Sequence, residues 1–470
     1  MKSRFFIALM ASTAFLVIKP ACAETLRQTV DQALAVHPSI EVALASKVIA
    51  KEEHLETRSG LFPELSANAS AGRIFGDNST SRGLVVNRGT AYSWLGEGSA
   101  SLRQPIFDGM ETFNRMDAAL ARTDSADYNV ADVKESLALR AVQAHLSVMQ
   151  AQATLDKTKS YYTVIEDYLD RIQLMVDEGV ADESETAQAK NISLMLKSTL
   201  TDYEGQLAAA YAGYKEITDQ LPKSDLIKPH TVETLIKPDA EAAISHAKVN
   251  HPVIKSGEKE LEAAGYDVKA EYAGFYPDLD GEISYLKKDQ KEEIGGNVTD
   301  ARALLKMSWD FETGGAQKAR TRKSQAQYSE ILAQNRETVR IIEGDIRRAY
   351  AEYETAKKQM ELVKKREVVT KDLFDAYEAQ FEGARVRLLQ LMQAENQLFN
   401  AQLESISAEY RYLLAQYSVL ASMGQLLDAV SSLSSESLEK FSKVSILEEP
   451  QEKISSSPDE LTDQIHSAVK

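Results

Sequence analysis

The sequence predicts an α+β membrane protein with an internal two-fold repeat. Each chain is expected to give four strands to a β-barrel that several copies share, and a long α-helical coiled-coil barrel is expected to continue it. Three observations predict this fold class. Landmarks recur after about two hundred residues, each half contains a β-hairpin with one apolar face, and each hairpin precedes helices much longer than the usual 10–14 residues.

The repeat is visible in the order of short motifs. His37-Pro38 recurs as His251-Pro252, and the aromatic-Pro-acid-Leu motif of residues 62–65 recurs at residues 276–279, both with an offset of 214. Later pairs are offset by 204 or 205, namely Gly179 with Gly383 and residues 188–191 with residues 393–396. A period this long indicates a duplicated half-molecule and not a solenoid repeat.

Residues 1–23 are typical of a signal peptide. Lys2 and Arg4 precede an apolar run over residues 5–18, and Ala21-Cys22-Ala23 provides a small-x-small cleavage site, with the cut expected before Glu24. The run is too short for a transmembrane helix, which needs about 20 residues. Cleavage there removes Cys22, the one cysteine of the sequence, so no disulfide or thiolate metal ligand is expected in the mature chain.

The charge of the chain argues against nucleic acid as a partner. The formal net charge is −17, and loss of the basic leader residues Lys2, Arg4 and Lys19 makes it −20. Nucleic-acid phosphates require basic surface, which such a chain lacks. An acidic, secreted chain without cysteine suits the periplasm or cell envelope of a Gram-negative bacterium.

The elements follow in the same order in both halves. The first repeat, residues 24–222, is expected to contain short helices, a β-hairpin at about 64–107 and a long helical hairpin at about 111–217. A linker at 223–238 leads to the second repeat, residues 239–428, with a β-hairpin at about 277–311 and a helical hairpin at about 315–427. The Ser- and Glu-rich residues 429–470 are predicted to be a disordered tail.

The short helices and the strands are predicted from proline positions and from periodicity. Pro38 and Pro252 suit the first turn of a helix, and Pro63 and Pro277 end the helical stretches. After them apolar and polar residues alternate, as in a sheet with one apolar and one wet face. Residues 76–90 and 287–300 are expected to be loops.

The long helices are predicted from apolar residues spaced by three and four, many of them alanine, over some 65 residues without proline or glycine after Glu111. Such a helix would be about 95 Å long. Each is expected to turn near a glycine, Gly179 or Gly383, into a second helix.

Four strands cannot close a barrel, and hydrocarbon does not tolerate unpaired strand edges. Three chains that pool their strands would supply twelve. The polar positions expected to face a wet lumen are Glu97, Arg103, Asp280, Glu282, Arg302, Lys306 and Asp310. Those expected to face lipid are Leu102, Ile283, Leu305, Met307 and Trp309, with Tyr92, Trp94, Tyr285 and Trp309 as an interfacial aromatic belt. A soluble β-sandwich would show the same alternation, but the long helices disfavour it.

With these motifs the sequence resembles the TolC family of outer-membrane channel proteins. The doubled His-Pro and aromatic-Pro-acid-Leu motifs, residues 104–109 before the first long helix, Gly383-Ala384-Arg385 and residues 393–395 carry the resemblance over about residues 25–428. It implies a homotrimer with a 12-stranded barrel in outer-membrane lipid and a helical tunnel through the periplasm. It also implies a passive exit duct for efflux or type I secretion, which docks a periplasmic adaptor protein and an inner-membrane ABC or proton-driven transporter.

The resemblance places the aperture of the tunnel at the hairpin tips. Arg385 matches the family's tip arginine, and carboxylates close to it in register are potential partners. The gating candidates are Gly179, Asp182, Glu183, Glu185, Gly383, Arg385 and Arg387. Family members carry aspartates beyond the second tip as a cation-binding ring, and residues 388–392 are Leu-Leu-Gln-Leu-Met here instead.

No motif indicates an enzyme, a cofactor or a metal site. His37 and His251 occupy equivalent helix boundaries, and His145 lies within a long helix, so structural roles are expected for all three. The alternative function is a periplasmic adaptor with coiled-coil hairpins, but adaptors usually have a single hairpin, whereas this chain has two. The exported substrate cannot be read from the sequence.

Overall fold

The computed structural model describes residues 24–76, 91–180, 182–290, 297–383 and 385–432. The predicted signal peptide and residues 433–470 of the predicted tail lie outside the described residues. Within the described part, the chain passes twice through the same order of two short helices, a β-hairpin and two long helices. The predicted internal two-fold repeat is therefore confirmed.

The first repeat begins with helices α1 (Leu26–Val36) and α2 (Pro38–Ser59). Strands β1 (Glu64–Gly76) and β2 (Ala91–Phe107) follow. Helices α3 (Glu111–Asp177) and α4 (Glu183–Thr218) complete it.

The second repeat contains α5 (Ala240–Asn250), α6 (Pro252–Tyr272), β3 (Asp278–Gln290), β4 (Asn297–Ser308), α7 (Ala316–Glu382) and α8 (Leu388–Ser422). Short 3₁₀ turns lie at Glu233–Leu235 and Ala273–Phe275. Both α3 and α7 are 67 residues long, which corresponds to about 100 Å of helix.

The two His-Pro motifs begin equivalent helices. Nδ1 of His37 accepts a hydrogen bond from the backbone N–H of Ser39 at 3.1 Å, and Nδ1 of His251 accepts one from Val253 at 3.3 Å. The following prolines occupy the first turn, where no intrahelical N–H donor is required. Each histidine therefore satisfies an orphan donor at a helix start.

The four strands form one antiparallel sheet in the order β1-β2-β3-β4. Its central pair, β2 and β3, joins the two repeats, and Leu102 pairs with Ile283 there. Because paired residues project to the same side, the register extends the apolar and polar faces of each strand across the whole sheet.

The strand bounds differ from the sequence prediction at two places. Residues 287–290 and 297–300 belong to β3 and β4 and not to a loop, since Lys288 pairs with Val298 and Asp289 with Asn297. Charged side chains do not prevent backbone pairing, because side chains project away from the hydrogen-bonded ladder. Conversely, β4 ends at Ser308, which pairs with Asp278, because Pro277 has no N–H to continue the ladder.

The end of the second helical hairpin also differs from the prediction. α8 ends at Ser422 and not near residue 427, Gly424 turns the chain with φ +68°, and residues 426–432 are helical. Residues 429–432 therefore continue the fold and do not belong to an unstructured tail.

The main apolar core lies where the short helices pack on the middle of the long ones. Leu137, Ile346, Tyr417 and Leu420 are among its fully buried side chains. Ala138 and Ala141 are completely buried on α3, as expected for helices that approach closely. Within the residues described, no single helix is both long and apolar enough to cross a membrane, and only α1 and α2, bent by 50°, reach that threshold when counted together.

Candidate functional site at the helical hairpin tips

The first helical hairpin turns at Gly179. After α3 the glycine adopts the left-handed conformation, with φ +75°. Its N–H donates to the carbonyl of Val176 at 2.9 Å, and the N–H of Val180 donates to Met175 at 2.8 Å. This is a Schellman turn, in which glycine tolerates a positive φ without steric penalty.

The second hairpin does not turn on its glycine. Gly383 has φ −80° and ψ 7°, a conformation open to any residue. The expectation that both glycines permit their turns is therefore wrong for Gly383. The helix caps explain why, since Glu178 and Gly383 are equivalent C-caps, and Asp182 and Arg387 are equivalent N-caps, with an offset of 205. Gly383 occupies the position of Glu178 and not that of Gly179.

An ion pair joins the two tips. Nη1 of Arg387 donates to Oε1 of Glu185 at 3.0 Å. The Glu185 side chain is only 11% exposed, whereas that of Arg387 is 75% exposed. Both residues lie at helix N-termini, where the macrodipole favours Glu185 and disfavours the guanidinium. The buried carboxylate of Glu185 therefore offsets the unfavourable effect of the helix macrodipole on the Arg387 guanidinium. The ion pair also connects the first turns of α4 and α8.

The other charged tip candidates remain on the surface of the chain. Asp182, Glu183 and Arg385 are exposed. The backbone N–H of Arg385 donates to Gln380 at 2.9 Å, and no ion pair forms at its guanidinium among the described residues. The structure thus brings together Arg387 and Glu185 within one chain, and not Arg385 and the carboxylates near it in register.

Behind the ion pair lies an apolar cluster between the two hairpins. This tip cluster consists of Tyr161, Ile165, Tyr168, Ile172, Ala189, Leu196, Leu388, Leu391, Met392 and Phe399. Leu388, Leu391 and Met392 are at most 3% exposed. The segment in which family members are expected to carry aspartates is therefore core here. Within the described ranges, no group of three or more His, Cys, Asp or Glu side chains is arranged for a metal ion.

Sequence reasoning did not single out Tyr161. Its ring stacks on Phe399 with centroids 4.1 Å apart, and its hydroxyl accepts a hydrogen bond from Asn396 at 3.1 Å. Burial raises the pKa of Tyr161 to about 12. Asn396 belongs to the repeated motif at residues 393–396, but the repetition does not show which residue Asn396 contacts.

The sheet places the predicted polar strand residues on one face. Register pairs Glu97 with Lys288, Arg103 with Glu282, and Asp280 with Lys306. Nη2 of Arg103 also donates to Asp280 at 2.8 Å. Further ion pairs on this face join Lys306 to Glu282 and Arg302 to Asp300.

One candidate lies outside the sheet. Asp310 follows the end of β4, so the prediction that it is a strand residue is wrong. The same holds for Trp309, whose ring packs on Phe311 with centroids 4.7 Å apart.

The opposite face of the sheet is apolar, and none of the described residues covers it. Leu65 is 73% exposed, and Leu305 and Met307 are each 67% exposed. Leu65 pairs with Leu102, and Leu102 pairs with Ile283, so the apolar residues form a continuous row. An exposed apolar face of this extent indicates a surface that is covered in the working protein.

Both ring nitrogens of His145 have hydrogen-bond partners. The residue is completely buried, Nε2 lies 3.0 Å from the carbonyl oxygen of Ile227, and Nδ1 lies 2.8 Å from Oγ1 of Thr29. Burial lowers the pKa of His145. These contacts describe a neutral structural histidine.

A paired set of long helical hairpins, a sheet with one wet and one apolar face, and linked hairpin tips together define a channel-forming envelope protein. A family model described as outer membrane efflux protein matches residues 29–217 and 243–425. The chain belongs to this family. The match covers both repeats, so the family prediction made from the motifs is confirmed and the adaptor alternative is not favoured.

Several curated proteins are similar to the chain. The outer membrane efflux protein BepC of Brucella suis is 23% identical over 371 residues, which cover 77% of this chain and 79% of that protein. The outer membrane protein TolC of Vibrio cholerae is 21% identical, over 86% and 91% of the two chains. The alkaline protease secretion protein AprF of Pseudomonas aeruginosa is 22% identical, over 82% and 81%.

Solved structures share the fold. The CmeC outer membrane channel of Campylobacter jejuni superposes with a TM-score of 0.74 at 16% identity and covers 88% of each chain. The open state of the MtrE outer membrane channel of Neisseria gonorrhoeae gives 0.71 at 17% identity, over 86% of this chain and 89% of that chain.

The protein is thus an outer-membrane channel of a Gram-negative bacterium that extends through the periplasm, as predicted. Its fold is that of trimeric channels in which a barrel continues into a helical tunnel. The family transports and does not catalyse. Channels of this kind are homotrimers that work with periplasmic adaptors and inner-membrane transporters.

Proposed function

We propose that three copies of this chain close one barrel in outer-membrane lipid and serve as the passive exit duct of a tripartite efflux pump or a type I secretion system. The sheet carries this proposal. Among the described residues β1 and β4 each have one partner strand, so both edges of the sheet are free to pair. Three sheets joined edge to edge satisfy every backbone group and leave no edge in hydrocarbon.

In this assembly the apolar face of the sheet contacts lipid and the charged face lines the lumen. Ion pairs such as that of Arg103 with Asp280 are then hydrated, which a lipid-facing position would not permit. The row from Leu65 through Leu102 to Ile283 supplies the lipid-facing surface.

The helical hairpin tips form the aperture of the duct. The ion pair of Arg387 with Glu185 holds the second hairpin against the first within a chain. Arg385, exposed beside it, is free to reach a carboxylate of a neighbouring copy. Both contacts favour the closed state, and their loss shifts the population towards the open state.

The partners are a periplasmic adaptor and an inner-membrane ABC or proton-driven transporter. The names of the similar proteins include both an efflux protein and an alkaline protease secretion protein, so both export modes are consistent with the fold. A wide, wet lumen makes few specific contacts, and the transporter therefore selects the substrate.

Planar lipid bilayers test the proposal. The purified mature protein is expected to require detergent, to have the mass of a trimer by light scattering, and to conduct ions after insertion. Arg385→Ser is expected to raise the closed-state conductance, whereas Arg336→Ser, which removes an exposed arginine of α7 far from the tips, is expected to leave it unchanged. A monomer that stays soluble without detergent would refute the duct, and an unchanged conductance of Arg385→Ser would refute only its role at the aperture.

A further inference from the structure

Glu24, the first residue after the predicted leader, is built into the fold. It is 8% exposed. Its N–H donates to the carbonyl of Asp225 at 3.0 Å, and its carbonyl accepts from the N–H of Ile227 at 2.9 Å. Glu24 therefore pairs through its backbone with the linker between the two repeats, next to Leu226.

The carboxylate of Glu24 binds two further groups. Oε1 accepts a hydrogen bond from the hydroxyl of Tyr214 on α4 at 2.7 Å, and Oε2 accepts one from the backbone N–H of Lys223 at 3.2 Å. Tyr214 is completely buried. One residue thus connects the start of the chain, the first helical hairpin and the linker.

The contacts continue from Tyr214 through Thr29 and His145 to Ile227. The hydroxyls of Tyr214 and Thr29 lie 3.2 Å apart, Oγ1 of Thr29 lies 2.8 Å from Nδ1 of His145, and Nε2 of His145 lies 3.0 Å from the Ile227 carbonyl. Since the N–H of Ile227 donates to the Glu24 carbonyl, the contacts form a closed ring that includes Ile227 of the linker.

Counting protons assigns the charges in this ring. A carbonyl oxygen only accepts, so Nε2 of His145 carries the proton and Nδ1 of the neutral ring accepts from Thr29. The hydroxyl of Tyr214 donates a hydrogen bond to the Glu24 carboxylate. Neither hydroxyl then has a proton left for the contact between Thr29 and Tyr214. At 3.2 Å this contact is the longest of the four that lead from the Glu24 carboxylate to the Ile227 carbonyl. The ring therefore holds the negative charge of Glu24, and no Lys or Arg side chain of the described residues forms an ion pair with it.

A buried carboxylate without a cation is costly. Hydrolysis of the Ala23–Glu24 amide by a signal peptidase provides the cation. One water is consumed, its oxygen remains in the new carboxylate of Ala23, and the nitrogen of Glu24 becomes an α-ammonium at neutral pH. This nitrogen already donates to the carbonyl of Asp225, and the ammonium has two more N–H donors on the same residue that carries the carboxylate.

We propose that Glu24 is the mature N-terminal residue, and that its α-ammonium and carboxylate together fasten the inter-repeat linker onto the first helical hairpin. The position of the processing site is then a structural requirement and not only a consequence of secretion. A chain that begins one residue earlier carries its ammonium outside the ring.

The test compares two full-length mature chains refolded in detergent. One is released by a protease directly before Glu24, and the other retains one methionine before it. We expect trypsin to cleave the linker after Lys223 about fivefold more slowly in the chain that begins at Glu24, which corresponds to about 1 kcal/mol. Equal rates of cleavage would overturn the role of the ammonium. The mass of the protein extracted from outer membranes is expected to match a start at Glu24, and any other start would overturn the assignment.

Substitutions test the carboxylate separately. Glu24→Gln and Tyr214→Phe are each expected to speed linker cleavage, and the double variant to be no faster than the faster single variant, because both remove the same contact. Glu53→Gln, which changes an exposed carboxylate of α2, is the matched control. Additive effects, or cleavage as slow as in the control, would show that the ring does not fasten the linker. None of these outcomes depends on whether the channel conducts.

Discussion

Nη1 of Arg387 lies 3.0 Å from Oε1 of Glu185, so an ion pair joins residues 202 positions apart at the tips of the two helical hairpins. The carboxylate is buried and fixed in the first turn of α4, while the guanidinium extends over the surface. Such a pair resists separation of the tips without closing them permanently, because water replaces its exposed half easily. It therefore suits a contact that breaks when a channel opens.

Removal of either partner is expected to favour the open channel. Arg387→Gln and Glu185→Gln should each weaken the closed state by about 1 kcal/mol, since the arginine is largely hydrated. The ratio of closed to open states then falls about fivefold. Single-channel recordings in planar bilayers measure this ratio directly.

Glu382→Gln is the control for this pair, since it removes an exposed carboxylate at the end of α7, at the same tips. It should leave the ratio unchanged. If it opens the channel as strongly as Glu185→Gln, the overall charge of the tip controls opening and the ion pair does not.

The glycines of the two turns give a second, internally controlled prediction. Gly179→Ala places a side chain at φ +75°, which costs about 1–2 kcal/mol although no atom lies within 4 Å of the added carbon. Gly383→Ala introduces no strain at φ −80° and is expected to be neutral or slightly stabilising. Hydrogen exchange at the tips, followed by mass spectrometry, should show faster exchange for Gly179→Ala alone. Equal exchange in both variants would contradict the assigned turn conformations.

The glycine pair also shows where sequence reasoning reaches its limit. The motif at residues 188–191 and 393–396 gives the correct offset of 205, but the matching residue type of Gly179 and Gly383 suggests 204. The backbone conformation of the two turns shows that 205 is the correct offset, and the residue type alone does not determine this conformation. By contrast, the faces of the strands were predictable, because side chains alternate with period two whatever the packing.

Contacts between the two hairpins were not predictable from one sequence. Helical spacing shows which residues share a face, but not which face of another helix they meet. The pair of Glu185 with Arg387 and the stacking of Tyr161 on Phe399 both depend on that packing. The end of β4 could have been predicted from the sequence. Trp309 would have to pair with Pro277, which has no backbone N–H to donate.

Glu135 caps the N-terminus of the last described helical segment, residues 426–432. Its two carboxylate oxygens accept hydrogen bonds from the backbone N–H groups of Leu426 at 3.0 Å and Leu427 at 3.3 Å. Burial raises the pKa of Glu135 from 4.5 to about 7, with smaller contributions from Asp428 and Asp132, while the two hydrogen bonds act in the opposite direction. The group therefore exchanges protons near neutral pH.

The sign of the pH effect follows from this shift. Between about pH 4.5 and 7 the folded chain keeps the Glu135 proton that the unfolded chain has lost, so the contribution of Glu135 to stability falls as pH rises through this window. The change amounts to about 2–3 kcal/mol. Thermal unfolding of the detergent-solubilised protein at pH 5 and pH 8 should show a smaller difference in Glu135→Gln than in the parent. The same difference in both would exclude Glu135 as its source.

Adjacent leucines on opposite faces of β4 test which face meets lipid. Leu305 lies on the apolar face opposite Gly281, and Leu304 lies on the charged face opposite Glu282. A lysine on the lipid-facing side of a barrel costs up to about 2–4 kcal/mol, depending on depth. Leu305→Lys should therefore reduce the yield of trimer refolded into liposomes, measured by the mobility of unheated samples in SDS gels. Leu304→Lys should refold nearly as well as the parent, because its ammonium enters a hydrated lumen beside a carboxylate. The reverse order would mean that the sheet is inverted relative to the proposed barrel, and equal yields would mean that neither face contacts hydrocarbon at this depth.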